Sequence, residues 1–271
     1  MADYIKSTPI KSMGGAYSVE GFNVIITGGG GGIGRGIAQA FAESGANVCI
    51  MARNEAKGQK AVDELKACSK GNHSFIKCDV SNHDSVIEAR KAYFEKYPQL
   101  DVLVNNAGVG CTAPFLSEHG LEEWHRVINT DLNGVANMVY EFAPVMRDAG
   151  KGGVIINISS IGSQRISVKE GQHLAPYNVA KAGVDIFSRY LAIVLGDANI
   201  RVLSIMPGPI HSDLDADLPP EALKEVSDLM PAHRFGEPIE VGAFCVYLSS
   251  PAATFIRGVN YPFDGGMMTV V

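Results

Sequence analysis

Cysteine is scarce and scattered in this chain. Cys49, Cys68, Cys78, Cys111 and Cys245 are the only five thiols in 271 residues, with no CxxC pair and no cluster with histidine. An odd, widely spaced set is neither a disulfide framework nor a structural zinc site. No metal is expected, and the thiols read as small packed hydrophobes in a reduced, cytoplasmic protein. Blocks of one charge are also missing. The 23 basic and 29 acidic residues leave a net charge of −6, spread along the whole chain. That excludes the electrostatic footprint of a nucleic-acid or anionic-membrane partner. No apolar run reaches the roughly 18 residues of a membrane helix. The opening stretch MADYIKSTPIKSMGGAYSVEG lacks the apolar centre of a signal peptide.

What is present is a globular composition, 46% hydrophobic and 19% charged, long enough to bury a substantial core. Short apolar runs at 23–27, 48–51, 74–78, 102–105, 154–159, 201–206 and 258–262 alternate with helical patterns. The helices are expected at 34–44, from the cap Asn54 to about Ala67, from Ser81 with Asp84 as a capping box, over 121–147 as one long helix, and at 177–195 and 238–249. Strands apolar throughout and separated by helices predict an α/β fold: a doubly wound, mostly parallel Rossmann-type sheet with helices on both faces, in a single domain. Residues 1–20 read as an N-terminal extension and 21–271 as the domain. The stretches 162–176 and 208–232 show the least periodicity.

Six glycines fall within the eight residues from Thr27 to Gly34. Glycine costs backbone entropy, so such a run is a linker or a place of close approach to the backbone. Here it follows a strand and opens a helix, the context of a dinucleotide-binding turn. There the helix N-terminus meets a pyrophosphate, and side chains would block the contact. The second strand ends in Met51-Ala52-Arg53-Asn54, where an Asp or Glu would suit the ribose hydroxyls of NAD. Arg53 suits a 2′-phosphate instead. The cofactor expected is therefore NADP(H), with NAD(H) as the alternative if Arg53 is only a solvated helix-start residue.

Tyr177 and Lys181, four apart at a helix start, share one face. An ammonium beside a phenol favours proton exchange near neutral pH, although such a pair alone is usually surface decoration. Ser159 and Ser160 end the fifth strand at the edge that carries the glycine turn. A hydroxyl there can polarise a carbonyl or simply start a turn.

Together these residues resemble the short-chain dehydrogenase/reductase family, in its shorter, single-domain branch. The resemblance runs from Tyr17 to Gly266 on ordered motifs: Thr27-Gly28 with Gly31, Gly32, Ile33 and Gly34; Asp79-Val80; Asn105-Asn106-Ala107-Gly108; Ser160; Tyr177 with Lys181; Pro207-Gly208; and Asp264-Gly265-Gly266. It implies that Tyr177 is the general acid in reduction and the base in oxidation. Lys181 would bind the nicotinamide ribose and tune Tyr177, and Ser160 rather than Ser159 would hold the substrate oxygen. Asp79 and Val80 would flank the adenine, and Asn106, Ala107 and Gly108 would line the cofactor groove. Pro207, Gly208, Ile210 and Ser212 would lie near the nicotinamide. The family is mostly dimeric or tetrameric, which implies a homo-oligomer.

Two departures stand out. Counting from Trp124, the position that is commonly asparagine in the family is Asp131, with Asn129 and Asn133 on another side of the helix. Asp131 is taken as the catalytic equivalent. The interval from Ser160 to Tyr177 is also longer than usual. The extra residues, 167–173 including His173, would shape the substrate pocket or form a tolerated surface loop. The family's substrate lid would fall on the acidic stretch with Asp213, Asp215, Asp217, Glu221, Glu225 and Asp228, which either disfavours a multiply charged anionic substrate or is simply a solvated amphipathic helix. The expected activity is hydride transfer between NADP(H) and a small-molecule ketone or secondary alcohol, with hydroxysteroids, sugar ketones and xenobiotic carbonyls as candidate substrates. The alternatives are a non-catalytic cofactor-binding sensor on the same fold and, less favoured for its glycine spacing, an epimerase or dehydratase of the longer branch.

Overall fold

The computed structural model describes residue 10 and residues 12–166, 174–212 and 219–270. Among them, seven strands form one sheet: β1 Asn23–Thr27, β2 Asn47–Ala52, β3 Ser74–Lys77, β4 Val102–Asn105, β5 Gly153–Ile158, β6 Ile200–Pro207 and β7 Asn260–Phe263. Their order is β3-β2-β1-β4-β5-β6-β7 and every neighbouring pair is parallel. The doubly wound sheet read from the sequence is therefore the observed one. Chain direction across the sheet reverses between β1 and β4, which opens a crevice at the carboxyl ends of those two strands.

The helices are α1 Gly32–Glu43, α2 Glu55–Cys68, α3 His83–Phe94, α4 Gly120–Ile128, α5 Gly134–Asp148, α6 Ala175–Val194, α7 Pro220–Asp228 and α8 Pro238–Ser249. Strand side chains alternate between two cores. Val24 and Ile26 pack with Ile37 and Phe41 of α1 and with Val241 and Leu248 of α8. Ile25 faces the other side, with Met138 and Phe142 of α5 and Val184 and Leu191 of α6. On the first face α1 and α8 cross closely through glycines. A Cβ on Gly36 would lie 2.3 Å from the Pro238 carbonyl carbon, and one on Gly242 would lie 2.6 Å from the Gly36 oxygen. Among the described residues no helix is long and apolar enough to cross a membrane.

Several local expectations are corrected. The long helix over 121–147 is interrupted by a π-helical turn, Asn129–Asn133, between α4 and α5. One extra residue per turn brings both Thr130 and Asp131 to the buried side, and Thr130 Oγ1 donates back to the Arg126 carbonyl at 3.0 Å. α3 is capped by Asn82, whose side chain accepts from Ser85 N at 3.1 Å. Ser81 does not open it, because its hydroxyl is taken by Asp79 Oδ1 at 2.6 Å. The reciprocal capping box lies on α8 instead, between Glu237 and Glu240. α7 forms within a stretch that showed little periodicity. Before β1, Ala16 and Val19 are buried and Ala252 N donates to the Ala16 carbonyl at 2.7 Å, so the end of the N-terminal segment packs onto the domain.

Candidate active site

The glycine turn is shaped by what lies beneath it. Gly28 has φ +69°, in the left-handed region, and a Cβ there would approach Ala107 Cα and Asn106 Nδ2 at 3.0 Å. At Gly34 a Cβ would sit 2.4 Å from Asn106 Nδ2 and 2.5 Å from the Gly28 oxygen. Asn106 is thus committed to the turn: its Nδ2 donates to the Thr27 carbonyl at 3.0 Å. No side chain caps α1 at Gly31, and a helix N-terminus of this kind can take an anion on its first N–H groups.

Above the turn is a cleft of about 280 Å3 lined by Gly28, Gly31, Ala52, Arg53, Asp79, Val80, Ala107, Gly108 and Thr130. It gathers residues expected to meet a dinucleotide from the ends of β1, β2 and β4. Arg53 is exposed at its mouth and has no ion-pair partner among the described residues. Gly32 and Ser212 line an adjoining groove of about 630 Å3 together with Arg35, Lys57 and Lys60. Glu64 lines the same groove and pairs with Arg35 at 2.8 Å, so it is the bare backbone, the uncapped helix and the exposed Arg53 that fit a phosphate-bearing dinucleotide.

Other expected residues have different surroundings. Ile33 packs against the core and Pro207 is buried at the end of β6. A Cβ on Gly208 would strike Asp264 at 2.8 Å, which makes it a close-packing position. Ile210 lines a separate cavity of about 360 Å3 with Arg234 and Asp264. Residues 167–173, with His173, and the acidic residues Asp213, Asp215 and Asp217 lie outside the described residues.

The titratable cluster lies deeper. Lys181 is buried, and its ammonium donates to the Ile158 carbonyl at 3.1 Å. It lies 3.2 Å from Asp131 Oδ2 and 5.4 Å from the centre of the Tyr177 ring. Burial on its own pulls the lysine pKa down; Tyr177, Asp131 and Asp185 outweigh it, and the net shift is upward. Asp131 is 0% exposed, and its Oδ1 accepts from Val109 N at 2.8 Å. Asn129 and Asn133 bond to each other at 2.9 Å and take no part in this cluster.

The two serines separate by their partners. Ser159 is buried and its hydroxyl donates to the Lys181 carbonyl at 3.1 Å. Ser160 Oγ accepts from Gly162 N at 3.0 Å, which leaves its own proton available to an incoming oxygen. Asp185, one turn beyond Lys181, accepts from Ser163 at 2.5 Å and from Ser204 at 2.7 Å. That clamps the turn after Ser160 to α6 and β6.

The loop between β4 and α4 is tied down by a pair that the sequence reading did not single out. Glu123 accepts from Thr112 N at 2.8 Å and from Arg126 at 2.8 and 2.9 Å. Arg126, and then the Thr112 amide, hold its carboxyl down at about 2. Glu123 and Arg126 stand three apart on one helix, a spacing too common to mark them in advance. Lys57, in the first turn of α2, lines both clefts and was not singled out either.

A family model described as enoyl-(acyl carrier protein) reductase matches residues 29–268. The chain is 38% identical over 243 residues to 3-oxoacyl-(acyl-carrier-protein) reductase FabG of Chlamydia muridarum, covering 90% of this chain and 96% of that protein. The structure of L-sorbose reductase from Gluconobacter frateurii, complexed with NADPH and L-sorbose, matches with a TM-score of 0.86 at 30% identity, over 94% of this chain and 100% of that one. That of 3-ketoacyl-(acyl-carrier-protein) reductase from Brucella melitensis, complexed with NADH, matches with a TM-score of 0.84 at 31% identity, over 92% and 99%. The chain belongs to the short-chain dehydrogenase/reductase family of oxidoreductases.

Proposed function

We propose that the protein is an NADP(H)-dependent oxidoreductase that interconverts a ketone and a secondary alcohol. The carrying observation is the approach of half-buried Tyr177 to the buried pair of Lys181 and Asp131, with Ser160, just past the end of β5, keeping its hydroxyl proton available. When bound, the nicotinamide supplies or accepts the hydride. The chain's own residues do the rest. Ser160 holds the substrate oxygen, Tyr177 gives it a proton in reduction or removes one in oxidation, and Lys181 steadies the phenol and the ribose. The glycine turn takes the pyrophosphate, Asp79 and Val80 the adenine, and Arg53 the 2′-phosphate. Support for NADP(H) over NAD(H) is the exposed guanidinium of Arg53, without an ion-pair partner among the described residues, together with the absence of an acidic residue at the end of β2.

Free thiols suit a reduced, cytoplasmic setting. Ile186, Tyr190 and Ile193, which are 60%, 59% and 80% exposed along α6, offer apolar surface for a homo-oligomer. The test is fluorescence titration with NADPH and NADH, followed by a screen of ketones that includes steroids and sugar ketones. NADPH is expected to bind preferentially, and Arg53→Ala to weaken NADPH much more than NADH. Equal losses would remove the case for NADP(H). Tyr177→Phe is expected to abolish turnover while leaving binding nearly intact. Binding without turnover of any carbonyl in the wild type would favour the cofactor sensor.

A further inference from the structure

The buried carboxylate of Asp131 is more than a tether for Val109. Its Oδ1 is committed to that amide, while its Oδ2 is shut off from solvent and, among the described residues, is left to the Lys181 ammonium. Among the described residues, the charge that faces Oδ2 directly is the Lys181 ammonium at 3.2 Å. The chain leaves space for this pair, since a Cβ on Gly108 would fall 2.7 Å from Oδ2 and 3.4 Å from Lys181 Nζ. A carboxylate this buried stays charged only with a close cation.

The surroundings of the ammonium limit what else can balance it. From α6 it is faced by Tyr177 and by Asp185, whose two oxygens are already taken by Ser163 and Ser204. From β5 it meets the Ile158 carbonyl. Across the β4–α4 loop and α4, Cys111 and Arg126 feel the Asp131 charge, and Arg126 is held by Glu123. Among the described residues, Asp131 is therefore the carboxylate that meets Lys181 directly.

We infer that Asp131 is a positioning residue for the phenol proton. By holding the Lys181 ammonium in a direct ion pair, it cancels part of the pull on Tyr177. The site then keeps the Tyr177 proton to higher pH than an uncharged residue at 131 would allow. It is set to deliver a proton to a carbonyl oxygen rather than to remove one from an alcohol. This rests on the assignment of Tyr177 and Lys181 given above.

The test needs neither substrate nor NADPH. The near-ultraviolet phenolate titration of the wild type, minus that of Tyr177→Phe, isolates Tyr177 among the nine tyrosines. The same subtraction is made in the isosteric Asp131→Asn background. The Tyr177 midpoint is expected to move down by about one pH unit in Asp131→Asn. An unmoved or raised midpoint overturns the inference. Should Asp131→Asn not fold, carbon NMR of labelled lysines in the wild type, with Lys181→Arg identifying the signal, decides the matter. A Lys181 midpoint above the ordinary ammonium range supports the ion pair, and one within or below it overturns the inference. In the catalysed reaction, Asp131→Asn is expected to shift the alkaline limb of the reduction profile down by the same amount. A shifted titration without carbonyl turnover would retire the oxidoreductase reading and leave the charge coupling standing. Turnover with an unshifted titration would do the reverse.

Discussion

Thr27 Oγ1 accepts hydrogen bonds from the main-chain N–H groups of both Asn106 and Ala107, at 2.9 and 3.0 Å. One hydroxyl at the end of β1 thereby fixes the end of β4, and with it the two edges of the cofactor crevice. The same hydroxyl points its proton toward the Val104 carbonyl at 3.4 Å. Thr27→Val keeps the shape and removes the oxygen, which leaves two amides without an acceptor. It is expected to destabilise the protein by about 2–4 kcal/mol in urea unfolding and to weaken NADPH binding. Thr27→Ser is expected to recover most of both; if Thr27→Val binds NADPH as the wild type does, this bridge does not set the crevice.

The glycines of the turn are not equivalent. Gly34→Ala would place its methyl 2.4 Å from Asn106 Nδ2 and 2.5 Å from a backbone oxygen that cannot retreat, whereas at Gly30 the nearest atom is 3.5 Å away. Gly34→Ala is expected to cost about 1–3 kcal/mol of stability and most of the NADPH affinity, while Gly30→Ala leaves stability close to that of the wild type. Thermal unfolding and fluorescence titration of the two variants side by side check the contrast.

Stability is expected to fall in mild acid through His73, which lies at the far end of the sheet from the crevice. The ring is 3% exposed; its Nδ1 accepts from Val48 N at 3.3 Å and its Nε2 pairs with Ser69 Oγ at 2.6 Å. Burial first, and Lys66 second, lower its pKa from the ordinary 6.5. Below 6.5 the unfolded chain takes up a proton that the folded chain refuses, so the unfolded state binds more protons and stability drops as pH falls. Urea unfolding at about pH 7.5 and about pH 5.5 should show this drop, and His73→Gln should show less of it. Equal drops would assign the acid sensitivity to other groups.

The sequence by itself determined the alternation of strands and helices, the parallel sheet, the glycine turn and the ordered Ser160, Tyr177 and Lys181. Each of these is written in local periodicity or in a short motif. A strand buried on both faces is apolar throughout, and a turn that must admit a phosphate excludes side chains wherever it occurs. The tertiary structure decided what those residues meet. The direct pairing of Asp131 with Lys181 depends on a π-helical turn inside what reads as one continuous helix. That extra residue is stabilised by packing and by the Val109 amide, neither of which leaves a periodic trace. The separation of Ser159 from Ser160 likewise came from α6, whose backbone claims one hydroxyl and leaves the other free. Thr27 and Asn106 stand 79 positions apart, and Glu123 meets Thr112 across the fold of a loop. Hydrogen bonds between residues distant in sequence exist only once the sheet has brought its strand ends together.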